Sequence, residues 1–354
     1  MLDLSVDAAT LTAALVDIES ESGNEAALAD LVEQALRRCR GLAVERDGNV
    51  VLAGTELGRA QRVVLAGHLD TVPIAANLPS RVEGGRLHGC GTSDMKSGVA
   101  VMLRVAHLVG TGALDPRVDL TWVYYDCEEV EAARNGLGRV ARERPEALAA
   151  DLAVLLEGTD GLIEGGCQGT LRAVVTTHGV RAHSARSWLG SNAIHSAAPI
   201  LQRLAEYKAR EVEVDGLTYR EGLNAVGITG GIAGNVIPDL CEVTVNYRFA
   251  PDLSEGQAFA HVNDVFDGFE VRLTDSAPGA RPGLDAELPA AIVAAVGAPA
   301  RAKLGWTDVS LFGRLGIPAV NFGPGDPNLA HRIDESVELA MIGATEAALV
   351  RFLS

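Results

Sequence analysis

The sequence predicts an α/β domain interrupted by a smaller, inserted α+β sandwich domain, and three changes of pattern along the chain carry this prediction. Before about residue 170, helix-like and strand-like stretches alternate, which is typical of a mixed, largely parallel sheet between helices. Beyond that point the order becomes strand, helix, two strands, helix and strand, which indicates an α+β sandwich on one sheet. After Pro282 the first pattern returns. We therefore assign residues 1–172 and 282–354 to the larger domain and residues 173–281 to the insert.

The elements of the larger domain follow from periodicity and from turn signals. The segment Ser22-Gly23-Asn24-Glu25 has the pattern of a capping box, and apolar residues at helical spacing follow it, so a helix is predicted there. A second, buried helix is predicted over Ser97–Val109. Short apolar runs predict buried strands at 63–67, 120–125 and 152–156.

The insert and the returning portion are divided in the same way. The predicted elements are a strand over 171–177, a helix over 191–209, two strands within 224–249, a further helix, a strand over 269–273, a helix over 286–296, a strand over 318–322 and a last helix over 334–353.

Composition excludes several classes of function. A chain of 354 residues with 47% hydrophobic and 22% charged residues is typical of a folded globular protein. Its net charge of -17, without a run of Lys and Arg, argues against nucleic acid and anionic membranes as partners. The N-terminal sequence is acidic and lacks a secretory signal pattern, and no apolar run could span a bilayer, so we expect a cytoplasmic protein that acts on a small molecule.

The five cysteines indicate neither a disulfide framework nor a thiolate zinc site, because their number is odd and no C-x-x-C pair occurs. Cys90 and Cys127 lie beside the polar segments described next, so a catalytic thiol is an alternative. Packing as small buried side chains is the more common fate of free cysteines, and we expect it here.

Residues suited to metal binding follow several of the predicted strands. They are His68, Asp94, Glu128, Glu129, Glu157 and His331. Open α/β sheets gather ligands at the carboxyl ends of their strands, so these distant side chains can converge. Two imidazoles and several carboxylates, with no thiolate, suit a pair of divalent ions better than a structural zinc.

Three of these segments are informative one by one. His68 and Asp70 are two residues apart and point to the same side of an extended chain, so Asp70 is expected to orient the His68 imidazole rather than to bind metal. The glycine-rich segment before Asp94 could instead hold phosphate, but it lacks a Gly-Lys-Ser/Thr sequence and the carboxylate would repel the phosphate. Adjacent Glu128 and Glu129 diverge at a strand end, so one can bind metal while the other acts as a base.

These segments resemble a family of di-zinc hydrolases that includes aminoacylases, acetylornithine deacetylase, glutamate carboxypeptidases and succinyl-diaminopimelate desuccinylase. The resemblance rests on 67–73, 91–98 and Glu128-Glu129, and the domain insertion agrees with it. It implies a zinc-hydrolase domain, an inserted lid and dimerisation domain, and a cis peptide after Asp94. Gly158 departs from the family pattern, in which proline is frequent at that position.

The resemblance also implies roles for the metal-binding residues. His68 and Glu157 would hold one zinc, Glu129 and His331 the other, Asp94 would bridge both, and Glu128 would be the general acid and base. The cofactors would thus be two Zn²⁺ ions, one of them replaceable by Co²⁺ or Mn²⁺.

Within the family, the segments 77–81, 181–190, 234–239, 246–249 and 305–310 are most similar to the actinobacterial desuccinylase branch. This branch hydrolyses N-succinyl-LL-2,6-diaminopimelate to succinate and LL-2,6-diaminopimelate with a hydroxide held by two zinc ions, in the synthesis of lysine and cell-wall precursors.

The similarity to this branch implies roles for residues of the insert and beyond it. His183 would be donated across a homodimer interface, formed by the inserted domains, to the developing oxyanion. Asn235, Arg248 and Thr307 would bind substrate. A salt bridge for Arg248 and a turn for Asn235 are the structural alternatives.

Two other functions are compatible with this sequence. A different deacylase or dipeptidase of the family, such as acetylornithine deacetylase, would share every metal residue and differ in the insert. A metal-binding homologue without catalysis is disfavoured because Glu128 and Glu129 are both present.

Overall fold

The computed structural model describes residues 1–354 and divides into two compact units. Unit 1 comprises Met1–Gly165, Pro282–Arg301 and Leu311–Ser354, and unit 2 comprises Gly166–Arg281 and Ala302–Ser310.

The α-helices are α1 (Ala8–Val16), α2 (Ala26–Leu36), α3 (Lys96–Thr111), α4 (Gly136–Glu143), α5 (Ala193–Ser196), α6 (Ala198–Glu206), α7 (Glu255–Val265), α8 (Glu287–Val296), α9 (Val309–Arg314) and α10 (Leu339–Leu353). The strands are β1 (Ala43–Asp47), β2 (Val50–Gly54), β3 (Arg62–His68), β4 (Arg81–Glu83), β5 (Arg86–His88), β6 (Asp119–Tyr125), β7 (Leu152–Leu155), β8 (Glu164–Gly165), β9 (Gly169–His178), β10 (Glu211–Val214), β11 (Leu217–Arg220), β12 (Gly222–Gly230), β13 (Leu240–Phe249), β14 (Glu270–Ala277), β15 (Arg301–Ala302), β16 (Ala319–Asn321) and β17 (Ser336–Glu338).

Unit 1 is built on an eight-stranded sheet with the order β1-β2-β6-β3-β7-β16-β8-β15. The four central strands β6, β3, β7 and β16 run parallel, whereas β2 and β8 pair antiparallel at either side of them. Every residue of β6 is buried, as expected for a parallel strand that is covered on both faces. The predicted mixed sheet with a parallel centre is therefore confirmed. No helix combines the length and apolar character needed to cross a membrane.

Parallel pairing places the carboxyl ends of the central strands at one edge of this sheet. β3 ends at His68, β6 ends at Tyr125 just before the two glutamates, and β7 ends at Leu155 just before Glu157. The register pairs His68 with Tyr125 and Ala66 with Leu155, so these ends lie side by side. The chain thus leaves the sheet at neighbouring points with a polar side chain at each.

Three local predictions in these elements were wrong. Ser22 forms no capping box, because its hydroxyl donates to Asp70 Oδ2 at 2.7 Å and α2 has no side-chain cap. The predicted helix over 191–209 is divided into α5 and α6, and Pro199 in the first turn of α6 cannot continue a preceding helix. The last helix begins at Leu339 rather than 334, because residues 336–338 pair with β5 as a strand.

Unit 2 contains an antiparallel sheet with the order β12-β13-β9-β14. Alternate residues of β9 and β13 pack in one core with residues of α5, α6 and α7. The hairpin of β10 and β11 was not predicted. β9 lies between β13 and β14, so both of its sides are paired. The exposed edges belong to β12 and β14.

Candidate metal centre

Two groups of potential ligands meet at the carboxyl edge of the unit 1 sheet and share one residue. The ligand atoms of His68, Asp94 and Glu157 all lie within 4.8 Å of one another, and so do those of Asp94, Glu129 and His331. Two three-residue groups with a common carboxylate match the arrangement by which proteins hold two ions close together. The partition is the one that the resemblance implied.

Asp94 faces one imidazole with each of its oxygens. Its Oδ1 lies 3.0 Å from His68 Nε2, and its Oδ2 lies 3.3 Å from His331 Nε2. His331 Nε2 also lies 3.0 Å from Glu129 Oε1. This arrangement gives each half of the site one imidazole and one Asp94 oxygen.

Close packing of glycines brings the segments of this site together. A Cβ at Gly98, near the start of α3, would lie 2.0 Å from the carbonyl oxygen of Leu156, so only glycine lets this helix approach the end of β7. The approach places Asp94 beside Glu157. The peptide bond between Asp94 and Met95 is cis, as the resemblance implied.

The second nitrogen of His68 is fixed by Asp70. Nδ1 lies 3.0 Å from the main-chain oxygen of Asp70 and 3.4 Å from its Oδ1, so Nδ1 donates to Asp70 and Nε2 faces the group of potential ligands. The Asp70 carboxylate is fully buried and accepts the main-chain N–H groups of Glu128 and Glu129, each at 3.0 Å. Asp70 therefore orients one potential ligand and also holds the backbone of the segment that carries the next one.

Electrostatics indicate a deficit of positive charge at this site. Burial opposes protonation of His68, but hydrogen bonds to Asp70 and Asp94 raise its pKa well above the usual value. Hydrogen bonds to Asp94 and Glu129 raise the pKa of His331 to about 10. Against the effect of burial, the two imidazoles lower the pKa of Asp94. Divalent cations can supply the charge that protons supply here, so the donor set fits metal ions.

Glu128 lies beside the ligands without belonging to either group described above. Its carboxylate, the Glu129 carboxylate and the His68 imidazole form a third close group, in which the potential ligand atoms lie within 4.8 Å of one another. The side chain is half-buried, and its main chain is held by Asp70. This position is suitable for a base that acts next to bound metal ions.

Comparison with known proteins places this geometry in a family. Residues 64–354 match the model described as peptidase family M20/M25/M40. The chain belongs to this family.

Two relatives resemble the chain over its full length. A Mycobacterium tuberculosis protein provisionally named succinyl-diaminopimelate desuccinylase is 60% identical, with 100% of this chain and 99% of that protein covered. The succinyl-diaminopimelate desuccinylase of Corynebacterium glutamicum is 53% identical, with 100% and 98% covered.

Solved structures support the same fold. A Staphylococcus aureus tripeptidase superimposes with a TM-score of 0.81 at 20% identity, covering 100% of this chain and 98% of its own. The YXEP protein of Bacillus subtilis, described as a dinuclear metal binding peptidase of family M20, has a TM-score of 0.74 at 17% identity, with 98% and 96% covered. At these identities the likeness concerns the fold.

The remaining predicted site residues of this family member lie in unit 2. His183 is exposed, and its Nδ1 accepts the main-chain N–H of Ala185 at 3.0 Å, so the ring proton resides on Nε2. The main-chain oxygen of Asn235 accepts the N–H of Ser184 at 2.9 Å, which keeps Asn235 next to His183. Thr307 is buried.

Arg248 lies on the face of the unit 2 sheet opposite its helices. Its guanidinium makes no hydrogen bond and no ion pair, so the salt bridge considered as an alternative is absent. Partial desolvation and the positive charge of Arg172 on the neighbouring strand lower the pKa of Arg248. Two adjacent cations without a strong partner are suited to a carboxylate ligand.

The thiol alternative is not supported by the site. Burial and nearby Glu25 raise the pKa of Cys127 to about 11, and burial raises the pKa of Cys90 above its usual value. Both groups are therefore protonated near neutral pH and are poor nucleophiles.

Several supporting residues were not recognised in the sequence. Glu335 is buried and accepts three main-chain N–H groups of the Asp94 loop, and Ser22 donates to Asp70. Glu25 accepts the N–H groups of Gly23 and Cys127. The only sequence signal for Glu335 was its position four residues after a predicted ligand.

Proposed function

We propose that this enzyme hydrolyses N-succinyl-LL-2,6-diaminopimelate to succinate and LL-2,6-diaminopimelate, a step toward lysine and cell-wall precursors. The observation that carries the proposal is the 53% identity, over the full length, to the desuccinylase of Corynebacterium glutamicum. The five cysteines are free thiols, which is compatible with a cytoplasmic location.

We infer that two zinc ions are bound, the first by His68, Asp94 and Glu157 and the second by Asp94, Glu129 and His331. When bound, such ions lower the pKa of a water molecule toward about 7 and polarise the amide carbonyl. Imidazole and carboxylate ligands suit Zn²⁺ and also allow Co²⁺ or Mn²⁺ in one position.

Glu128 performs the proton transfers. It removes a proton from the attacking water and later delivers a proton to the amine nitrogen of the leaving diaminopimelate, so that the C–N bond breaks with a neutral leaving group. Its carboxylate can serve both steps because Asp70 fixes its main chain while the half-buried side chain lies beside His68 and Glu129. Asp70 also orients the His68 ring through its contact with Nδ1.

Substrate carboxylates require cationic partners on a protein of net charge -17. Arg248, which lacks an internal partner and lies beside Arg172, would pair with one of them. Asn235 and Thr307 would supply neutral hydrogen bonds to the substrate. This assignment explains why an exposed guanidinium of the unit 2 sheet has no ion pair.

The same proposal includes a homodimer formed by unit 2. β12 is an edge strand of that unit, and it exposes Val226 and Ile228, which are 59% and 53% accessible. Exposed apolar edge strands tend to pair with another chain. In such a dimer His183 of one subunit would act in the other's site, where its Nε2–H would donate to the oxyanion.

Mixing two inactive variants tests the action of His183 in trans. His183→Ala and Glu128→Ala would be combined under conditions of proven subunit exchange. At equal mixing about half of the dimers are mixed, and each of these carries one complete site. Recovered activity is the expected result, and its absence would show that His183 acts within its own chain or has no role.

A substrate panel tests the reaction itself. Purified zinc-loaded protein would be given succinylated diaminopimelate, acetylornithine and dipeptides at equal concentrations. The proposal requires the highest kcat/KM for succinylated diaminopimelate, and a higher value for either of the others would refute it.

A further inference from the structure

Glu335 is a buried carboxylate that none of the steps above uses. It is 2% exposed, and it follows His331 by four residues at the start of the segment that leads into β17. A charged side chain is rarely buried to this extent unless it is paired or hydrogen-bonded. Its partners in this chain are main-chain N–H groups.

The partners of Glu335 all belong to the loop that carries Asp94. Oε1 accepts the N–H groups of Ser93 at 2.7 Å and Asp94 at 3.0 Å, and Oε2 accepts that of Gly91 at 3.0 Å. The main-chain oxygen of Glu335 also accepts the N–H of Gly89 at 3.2 Å. Consecutive N–H groups that converge in this way form an anion-binding nest, and here the chain itself supplies the anion.

Glu335 connects two ligands of the same proposed metal ion. Asp94 and His331 both belong to the second ligand group, yet they are far apart in sequence. Pairing of Ser336 with His88, together with the four contacts of Glu335, fixes the register between their segments. The Glu335 carboxylate therefore fixes the position of Asp94 relative to His331.

We propose that Glu335 is a positioning residue, which holds the Asp94 loop in register with His331 and thereby sets the affinity and geometry of the second metal site. This proposal rests on the proposed function only in requiring that the ligand group binds metal. Glu335 touches neither substrate nor metal in this role.

The decisive variant is Glu335→Gln. The Gln amide has one acceptor oxygen, whereas the Glu335 carboxylate uses two. If the amide oxygen keeps the hydrogen bonds from the N–H groups of Ser93 and Asp94, the amide NH₂ group must face the N–H of Gly91. Loss of a residue that orients a ligand typically lowers metal affinity by about 10- to 100-fold. We expect a decrease of about 10-fold for Glu335→Gln. Glu335→Asp keeps the charge on a side chain that is one methylene shorter, and its metal affinity should lie between that of Glu335→Gln and that of the wild type.

Asp119 offers a matched control. It is 4% exposed and accepts the N–H groups of Leu57 at 2.7 Å and Arg59 at 2.8 Å, so it too is a buried carboxylate that holds a loop. It lies at the opposite end of β6 from Glu128, a distance of about 20 Å at the usual rise of a strand. Asp119→Asn should lower the stability of unit 1 without changing metal binding.

The measurements use no substrate. Zn²⁺ affinity would be determined by competition with a chromophoric chelator, and the visible absorption of the Co²⁺-loaded protein would report ligand geometry. Both would be recorded at pH 8, because burial raises the pKa of Glu335 to about 7. Thermal unfolding of the metal-free proteins would measure stability separately.

The expected result is weaker binding of the second ion and an altered Co²⁺ spectrum in Glu335→Gln, with neither change in Asp119→Asn. Glu335→Asp provides the answer if Glu335→Gln does not fold. Unchanged affinity and spectrum in the folded Glu335 variants would overturn the proposal, even if their stability falls. Equal loss of affinity in Asp119→Asn would overturn it too. A wild type that binds two ions but does not cleave succinylated diaminopimelate would refute the proposed function alone.

Discussion

Replacement of Asp70 by Asn should weaken both the metal site and the fold around it. The carboxylate accepts the N–H groups of Glu128 and Glu129, each at 3.0 Å, and the hydroxyl of Ser22 at 2.7 Å, and it also faces His68 Nδ1. Asn keeps one acceptor oxygen, so its NH₂ group must face at least one of the two main-chain N–H groups. The substitution preserves shape and volume, which confines its effect to charge and hydrogen bonding.

The magnitude has two parts. A buried N–H group left without an acceptor costs about 1–3 kcal/mol, which lowers the stability of the metal-free protein. Disturbing the orientation of His68 lowers metal affinity by about 10- to 100-fold. Because bound metal stabilises the folded state in proportion to the logarithm of its affinity, this loss removes a further 1.4–2.7 kcal/mol, roughly, at saturating metal. The metal-loaded Asp70→Asn variant should thus lose about 2–6 kcal/mol in total.

Urea unfolding with and without Zn²⁺ separates the two parts. Ser22→Ala is the matched control, because it removes one donor to Asp70 but leaves the carboxylate and both glutamate N–H contacts in place. The control should lose some stability and keep its metal affinity. If Asp70→Asn binds Zn²⁺ as tightly as the wild type, the role assigned to the Asp70 carboxylate is wrong.

Three further changes have defined outcomes. Glu128→Gln should lower turnover by about 100- to 10,000-fold while metal content, measured by elemental analysis, stays at the wild-type value, and near-normal turnover would remove Glu128 from the mechanism. His68→Ala and His331→Ala should each lower metal content, and two tightly held ions in both variants would disprove the ligand assignment. Burial raises the pKa of Asp126, and its Oδ1 has no hydrogen-bond partner. The folded state therefore binds the Asp126 proton more tightly than the unfolded state does. This stabilises the fold below about pH 4, and the stabilisation is lost as pH rises through the folded-state pKa. Asp126→Asn should therefore stabilise the protein at neutral pH, by on the order of 1 kcal/mol, and this gain should vanish in urea titrations near pH 4.

The parallel strands were predictable because each is a short apolar run that ends in a polar residue. Burial on both faces leaves such runs few alternatives, and no boundary of β3 or β6 differs from the prediction by more than one residue. The segments that were missed or misplaced depend on distant partners. β17 forms only by pairing with β5, and Ser22 leaves its local capping position because Asp70 offers a buried charge. Local periodicity contains no information about such partners.

The same distinction applies to the site. The ligand residues could be proposed from sequence because imidazoles and carboxylates at strand ends are recognisable by type, and family resemblance assigned them to two groups. The role of Glu335 could not be proposed from sequence, because a glutamate in a polar segment is common and only the structure shows its contacts with the Asp94 loop. The predicted domain boundaries, after residue 172 and before Pro282, rest on changes in the pattern of predicted helices and strands, whereas the division into compact units adds residues 302–310 to unit 2. A segment of only nine residues has too little periodicity for its place in unit 2 to be recognised from the sequence.

Buried carboxylates that bind main-chain N–H groups recur around this centre, and they have a common physical origin. The loops after β6 and before α3 carry the proposed ligands, and several of their N–H groups are not bonded within a sheet or a helix. Asp70, Glu335 and Glu25 satisfy these groups instead, at the cost of placing additional negative charge beside acidic ligands. Two divalent cations would offset that charge, whereas protons on the imidazoles offset only part of it. The arrangement that organises the loops therefore also makes the folded state favour metal binding, so removal of metal should loosen these loops before the central strands of the sheet.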